Sequence, residues 1–178
     1  MITTERLVLR PWREDDLDDL ARMCGDPDVM ADYPAPQTRG EAADRLARYR
    51  KTFEVHGFTR WALVGRNNGK FIGYTGIQPV FPEHPLSHMS SNEPTVEIGW
   101  RLVRSAWGQG LASEAARASL DDGFSRMHFR EVLSYTTPHN ARSQAVMRRI
   151  GLARTAERDF LDPSGTQYIV FAISRSGG

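Results

Sequence analysis

The feature that most constrains this chain is a turn at residues 107–113. An alternating run from Thr95 to Val103 leads through Ser105-Ala106 into Trp107-Gly108-Gln109-Gly110-Leu111-Ala112-Ser113. In that run Val96, Ile98, Trp100 and Leu102 take one face and Glu97, Gly99 and Arg101 the other, which is the period of a strand. Leu111, Ala112, Ala115, Ala116 and Ala118 then suit a helix able to lie close against a sheet, until Asp122-Gly123 weakens it. A helix that starts at such a turn presents unpaired backbone amides at the positive end of its dipole, and that is an anion site. Gly108 and Gly110 lack a Cβ, so the backbone can curl and phosphate oxygens can reach the amides.

Two glycines between a strand and a helix also fit an ordinary tight connection, so the kind of anion has to be narrowed. A Walker loop requires a lysine after its last glycine, and none stands here. Gly108-x-Gly110-x-x-Ser113 approximates a dinucleotide fingerprint without its third glycine. It lies past mid-chain, however, and the acidic residue about twenty positions on, Glu131, precedes the next strand rather than ending it. Acyl-coenzyme A is a third phosphate-bearing candidate, and the turn alone does not select it.

The rest of the chain supplies an α/β order of elements. Residues 6–10 alternate as a short strand; Glu14, Asp15 and Asp16 then suit a helix N-terminus, followed by Leu17, Leu20, Ala21 and Cys24 at helical spacing up to Asp26-Pro27. Thr38-Arg39-Gly40-Glu41 has the form of a capping box. Ala43, Leu46, Ala47, Arg50 and Phe53 continue it as one helical face, with Gly57 as the stop. Thr59 to Gly65 and Lys70 to Ile77, joined by Arg66-Asn67-Asn68-Gly69, read as a β-hairpin. Gln78 to Pro94, rich in proline and serine, resists helix and strand alike; a loop this long is either a substrate wall or a disordered insertion. Val132 to Thr136 is a strand, and Asn140 caps a helix carrying Val146, Arg149 and Ile150 up to Gly151. A strand near Leu152 to Glu157, a turn at Asp162-Pro163-Ser164-Gly165 and a strand from Gln167 to Ile173 complete the chain.

Length and charge bound the function. With 178 residues, one full core is available and two ordinary domains are not, so a single domain over 1–178 is expected. Basic and acidic residues number 23 and 22, leaving no field of the kind that gathers nucleic acid or anionic lipid, so neither is expected as a partner. Only Lys51 and Lys70 of the basic residues are lysines. Arginine makes planar contacts with phosphates and carboxylates, but a coding bias is the simpler account of its excess. Cys24 has no second cysteine to pair with, and the five histidines show no metal-ligand spacing, so no metal is expected. The opening residues lack a basic segment followed by an apolar run, and no stretch reaches the ~20 apolar residues of a membrane span, so a cytoplasmic location is expected.

Several segments together carry a family resemblance. Thr4-Glu5-Arg6-Leu7-Val8-Leu9-Arg10-Pro11-Trp12, Phe71-Ile72-Gly73, Val96-Glu97-Ile98-Gly99-Trp100, the turn running on through Ser113-Glu114-Ala115, Asn140-Ala141-Arg142-Ser143 and Ile150-Gly151-Leu152 resemble, in order and spacing, the GNAT-superfamily acyltransferases of the RimJ/RimL-like ribosomal-protein N-acetyltransferase branch. The resemblance covers nearly the whole chain. It implies a GNAT fold, a mixed and mostly antiparallel sheet whose central strands splay, flanked by helices. It also implies acetyl-coenzyme A as cosubstrate and an amine acceptor, a small molecule or a protein N-terminus; it leaves room for a homodimer. Leu102, Trp107, Gly108, Gln109, Gly110, Leu111, Ala112, Ser113 and Asn140 become the expected coenzyme contacts.

The same resemblance assigns chemistry. An amine is mostly protonated near neutral pH, so something must take a proton. Many relatives place a carboxylate at the position of Glu97, which is therefore the expected base, directly or through water; an ion-paired glutamate on a sheet face is the plain alternative. Backbone amides of the same strand are implied as oxyanion donors. Where many relatives carry a tyrosine, seven residues after Asn140, this chain has Met147, so Ser143 is the expected donor to the leaving thiolate. A serine at the third helical position also often satisfies only local backbone. His139 reads as a loop residue, and Trp100, Trp107 and Tyr135 read as core or as lining of the acceptor channel. Against an enzyme stands a noncatalytic acyl-coenzyme A-binding regulatory domain.

Overall fold

The computed structural model describes residues 1–90 and 94–175. Its elements are β1 (Ile2–Thr3), β2 (Leu7–Arg10), α1 (Leu17–Cys24), α2 (Arg39–His56), β3 (Arg60–Gly65), β4 (Phe71–Pro79), β5 (Val96–Leu102), α3 (Leu111–Ser125), β6 (Glu131–Thr136), α4 (Ala141–Arg149), β7 (Ala153–Arg154), β8 (Phe160–Leu161) and β9 (Gln167–Ser174). Every strand pair with an assigned register is antiparallel except β5 with β6, so the sheet is mixed and mostly antiparallel. The chain forms two compact units, Met1–Gly76 with Gly99–Ser119, and Ile77–Ile98 with Leu120–Gly178.

In the first unit β1, β2, β3 and the first half of β4 run as neighbours. Two glycines let β4 approach its partners. At Gly73 (φ +143) an added Cβ would sit 2.1 Å from the Arg101 carbonyl oxygen, and at Gly76 (φ +147) 2.3 Å from that of Thr59. Both positions therefore demand glycine sterically as well as conformationally. Trp12, Tyr49 and Tyr74 pack together with ring centroids 5.5–6.5 Å apart, and Leu20, Met23, Cys24, Met30 and Leu46 bury in the same cluster. Thr38 and Glu41 close the expected capping box, and Gly57, left-handed at φ 74, ends α2. The buried face of α2 is out of phase with the expected one: Ala42, Arg45, Leu46 and Tyr49 are inside while Ala47 is exposed. The cause is that Arg45 finds buried hydrogen-bond partners, which hydrophobic periodicity cannot register.

In the second unit β6 and β9 form a six-residue ladder from Glu131↔Ser174 to Thr136↔Ile169. Among the described residues β5 and β6 pair at one position, Glu97↔Leu133, and the Ser134 hydroxyl donates to the Ile98 carbonyl at 2.8 Å. This single pair between two strands of six and seven residues is the splay expected of the central strands. The described residues of the segment after β4 are packed. Val80 and Leu86 bury with Leu133, Phe160 and Val170, and the Thr95 hydroxyl ties the segment to the Ser87 carbonyl at 2.7 Å. Ser91, Asn92 and Glu93 of that stretch lie outside the described residues.

Two expected boundaries move. Helix α3 passes Asp122-Gly123 and ends at Ser125, and Gly123 is a point of close packing, where a Cβ would meet Ile77 Cδ1 at 2.5 Å. The strand expected from Leu152 to Glu157 shrinks to Ala153–Arg154. At Thr155 both the amide and the hydroxyl turn to the Val170 carbonyl, and a 3-10 turn follows at Ala156–Arg158.

Candidate active site

The candidate coenzyme turn, residues 107–113, lies wholly in the first unit. After β5, a 3-10 turn at Arg104–Ala106 brings the chain to Gly108 (φ 74) and Gly110 (φ 76), both left-handed. A Cβ on Gly108 would meet nothing within 4 Å, and one on Gly110 only an Arg6 nitrogen at 3.8 Å. The two glycines thus face open space, and backbone conformation, not crowding by protein, selects them. The first amide to bond within α3 is that of Glu114, to the Gly110 carbonyl at 3.0 Å. The amides of Leu111, Ala112 and Ser113 precede it and have no helical acceptor. The Ser113 hydroxyl is buried without a protein partner. Leftover amides, an orphaned hydroxyl and open space beside left-handed glycines are what a pyrophosphate requires.

The turn is braced from the N-terminal segment, by residues that sequence reasoning missed. Glu114 accepts from the Thr4 hydroxyl and the Arg6 guanidinium, both at 2.6 Å, and from the Arg6 amide at 3.0 Å. Arg6 also donates to the Gln109 carbonyl at 3.0 Å. Burial pushes the Glu114 carboxyl up, but these hydrogen bonds and the Arg6 charge outweigh it and leave the carboxyl below the usual range. The Gln109 side chain bonds the Ser105 carbonyl at 2.7 Å. Trp107 packs into the core and donates its indole N–H to the Leu102 carbonyl at 2.9 Å. The Leu102 side chain is also in that core, as is part of Trp100, so these three residues hold the turn's shape with their side chains.

The remaining candidates belong to the second unit. Glu97 is 3% exposed, and its Oε1 accepts from Gln78 Nε2 at 2.8 Å. A carboxylate this deeply placed is not a solvated surface group. His84 is close enough to feel its charge: burial lowers the His84 pKa below the ordinary imidazole value, while Glu97 and Glu83 pull it back upward. The His84 ring packs on Tyr135 and Phe160 with centroids 5.1 and 5.2 Å away, and its Nδ1 accepts from the Leu86 amide at 3.2 Å. Tyr135 is therefore part of an aromatic cluster. No spacing in the sequence links Gln78 or His84 to Glu97; only the path of β4 and the packed segment after it does so.

Asn140 caps α4, its side-chain oxygen accepting the Ser143 amide at 3.0 Å. Capping occupies the oxygen, so the amide NH2 retains donors. The Ser143 hydroxyl, half-exposed, bonds to no protein group among the described residues. His139 meets the Thr137 hydroxyl at 3.2 Å, and Met147 is buried. Among the described residues no three His, Cys, Asp or Glu side chains converge as metal ligands, and no helix is long and apolar enough to cross a membrane.

Comparison with known proteins places these features in a family. The family described as Acetyltransferase (GNAT) domain matches residues 6–153. The Bacillus subtilis protein YkkB, itself uncharacterized, is 30% identical over 152 residues, which span 85% of this chain and 84% of YkkB. The FsC-acetyl coenzyme A-N(2)-transacetylase of Aspergillus fumigatus is 32% identical over 84% of this chain and 63% of its own length. A GNAT-family acetyltransferase structure from Bacillus anthracis aligns with a TM-score of 0.80 at 25% identity, covering 97% of each chain.

Proposed function

Because the chain belongs to the GNAT acetyltransferase family and is an acetyl-coenzyme A-dependent acyltransferase, we propose that it acts over residues 1–178 as one catalytic domain that acetylates a primary amine. The name of the Aspergillus relative, an acetyl coenzyme A-N(2)-transacetylase, supports a nitrogen acceptor. The observation that carries the coenzyme half of this reading is the turn, with two left-handed glycines facing open space before three unpaired amides and a buried, unpartnered Ser113 hydroxyl. Within the family, the opening strand and the Asn140 segment favour the RimJ/RimL-like branch.

When bound, acetyl-coenzyme A supplies an acetyl group activated as a thioester. The backbone amides of Gly108 to Ser113 would hold its pyrophosphate, and the resemblance assigns the Asn140 side chain to the coenzyme as well. Glu97, whose Oε1 accepts from Gln78 Nε2, takes the proton that the amine must lose as its nitrogen bonds the acetyl carbon. Ser143 offers its hydroxyl proton to the departing sulfur. The transfer is direct, since proximity alone supplies much of the rate and no enzyme-bound acyl group is needed.

The test is thiol release from acetyl-coenzyme A over a panel of peptides, aminoglycosides, polyamines and amino acids, with thermal-shift controls using ATP and NAD. Stabilisation by acetyl-coenzyme A with thiol release on at least one amine is the expected result. Stabilisation by NAD alone would overturn the reading.

A further inference from the structure

The first unit buries more positive charge than its own carboxylates neutralise. Arg45 on α2 is 6% exposed and stays protonated at any working pH, as arginines do. Buried charges are ordinarily paired. Its Nε donates to Gln37 Oε1 at 3.0 Å, and one terminal nitrogen donates to the hydroxyls of Tyr49 at 3.3 Å and Tyr74 at 3.4 Å. All three acceptors are neutral, and the two phenol contacts are long. Among the described residues no carboxylate pairs with Arg45.

Arg101 on β5 stands beside it. This residue bonds the Asp32 carboxylate at 2.8 and 3.0 Å and also the Val29 carbonyl, yet its buried Nε has no acceptor. One ring lies over both guanidinium groups: the Tyr33 centroid is 4.7 Å from Arg101 Cζ and 5.6 Å from Arg45 Cζ. Arg45 and Arg101 have between them the one carboxylate of Asp32, and a third guanidinium, that of Arg60, lies 5.9 Å over the Tyr74 ring. The phenols add unspent donors. Tyr49 and Tyr74 accept from Arg45, and their own O–H groups reach no acceptor among the described residues. Burial raises the Tyr74 phenol further than the nearby arginines lower it, so it remains a donor.

We propose that Arg45, Arg101, Tyr49 and Tyr74 form a subsite for the carboxylate of the acceptor, so that the substrate is a small amine bearing a carboxylate, of the amino-acid class. The proposal rests on the acetyltransferase reading. A carboxylate is an anion with two oxygens and about four lone-pair sites, which matches a guanidinium fork and two phenol donors. Tyr33, 37% exposed, is the group that covers the two guanidiniums, and the carboxylate enters by displacing it.

The experiment compares matched acceptors: each common amino acid against its carboxamide, ethanolamine against O-phosphoethanolamine, and short peptides with or without an acidic second residue. In the wild type, kcat/KM for an amino acid should exceed that for its amide by about tenfold or more. Arg45→Met should collapse that ratio toward one while the KM for acetyl-coenzyme A holds. Tyr74→Phe, which removes one oxygen and keeps the volume, should lower the ratio in a protein whose core is preserved. Amides or polyamines turned over as well as amino acids overturn the proposal. So does a preference that survives both variants, or one seen only for the phosphate or the acidic peptide. If no acceptor reacts, thermal shift with N-acetylalanine against N-acetylalaninamide decides: a carboxylate-dependent shift lost in Arg45→Met upholds the subsite, and its absence overturns it. Failure to bind acetyl-coenzyme A is read separately and counts against the acetyltransferase reading alone.

Discussion

Glu97 and Ser143 carry unequal weight at the scale of single residues. A proton must leave the amine, and the group proposed for that role is a buried carboxylate with one oxygen bonded to Gln78. Glu97→Gln keeps the shape and removes the base, so kcat should fall roughly 10²–10³-fold while the KM for acetyl-coenzyme A changes little. Full kcat in that variant, measured by thiol release at saturating amine, would end the assignment. Ser143 faces an easier task, because a thiolate leaves readily without a proton. Ser143→Ala should therefore cost less than about tenfold in kcat, and a loss as large as that of Glu97→Gln would show that leaving-group protonation limits the rate. Glu97 was legible in the sequence because a strand position and a family motif coincide there. Gln78 and His84 were not, since nothing in their spacing says which carboxylate they will meet.

Glycines at two elements test whether structure or binding selects them. Gly73 on β4 is structural: an added Cβ falls 2.1 Å from the Arg101 carbonyl at a φ of +143, so neither the side chain nor the backbone is tolerated. Gly73→Ala should destabilise by about 3 kcal/mol or more, read as a lowered urea midpoint at unchanged slope. Gly108 has the same handedness, φ +74, but open space around it. Gly108→Ala should cost only about 1–2 kcal/mol of stability, while the methyl obstructs approach to the amides and raises the KM for acetyl-coenzyme A about tenfold. An unchanged KM would remove the turn from the coenzyme site. Elements marked by local chemistry, such as the Thr38–Glu41 capping box and the Gly69 hairpin, were readable because their causes lie within four residues. The inward turn of Arg45 and the shortening of β7 depend on partners 29 and 15 residues away in sequence, which no local pattern encodes.

Across the whole molecule, the nearly balanced charge of +1 hides a consistent response to acid. The carboxyls of Asp16, Glu41, Glu114 and Asp162 are all held below the usual range: Glu41 and Asp162 first by hydrogen bonds, Asp16 and Glu114 by hydrogen bonds and arginine charge that overcome their burial. Each binds its proton more weakly folded than unfolded, so its stabilisation is present above a pH of about 4 and is lost as the pH falls through the folded value. His84 has the same sign for a different reason. Burial among Tyr135 and Phe160 disfavours its cation, and protonation would abolish the bond that Nδ1 accepts from Leu86. Below the ordinary value of 6.5 the unfolded chain takes up that proton first, so stability declines as the pH drops from there toward the folded pKa. Urea unfolding followed across pH should show a plateau near neutrality and two separate declines. The first begins near pH 6.5 and the second near pH 4. His84→Phe keeps an aromatic ring in the cluster and removes the titrating nitrogen, so it should erase the first decline and leave the second. A wild-type profile flat from pH 7.5 to 5 would mean that His84 titrates as it does in the unfolded chain, and that the segment after β4 does not bury it in solution.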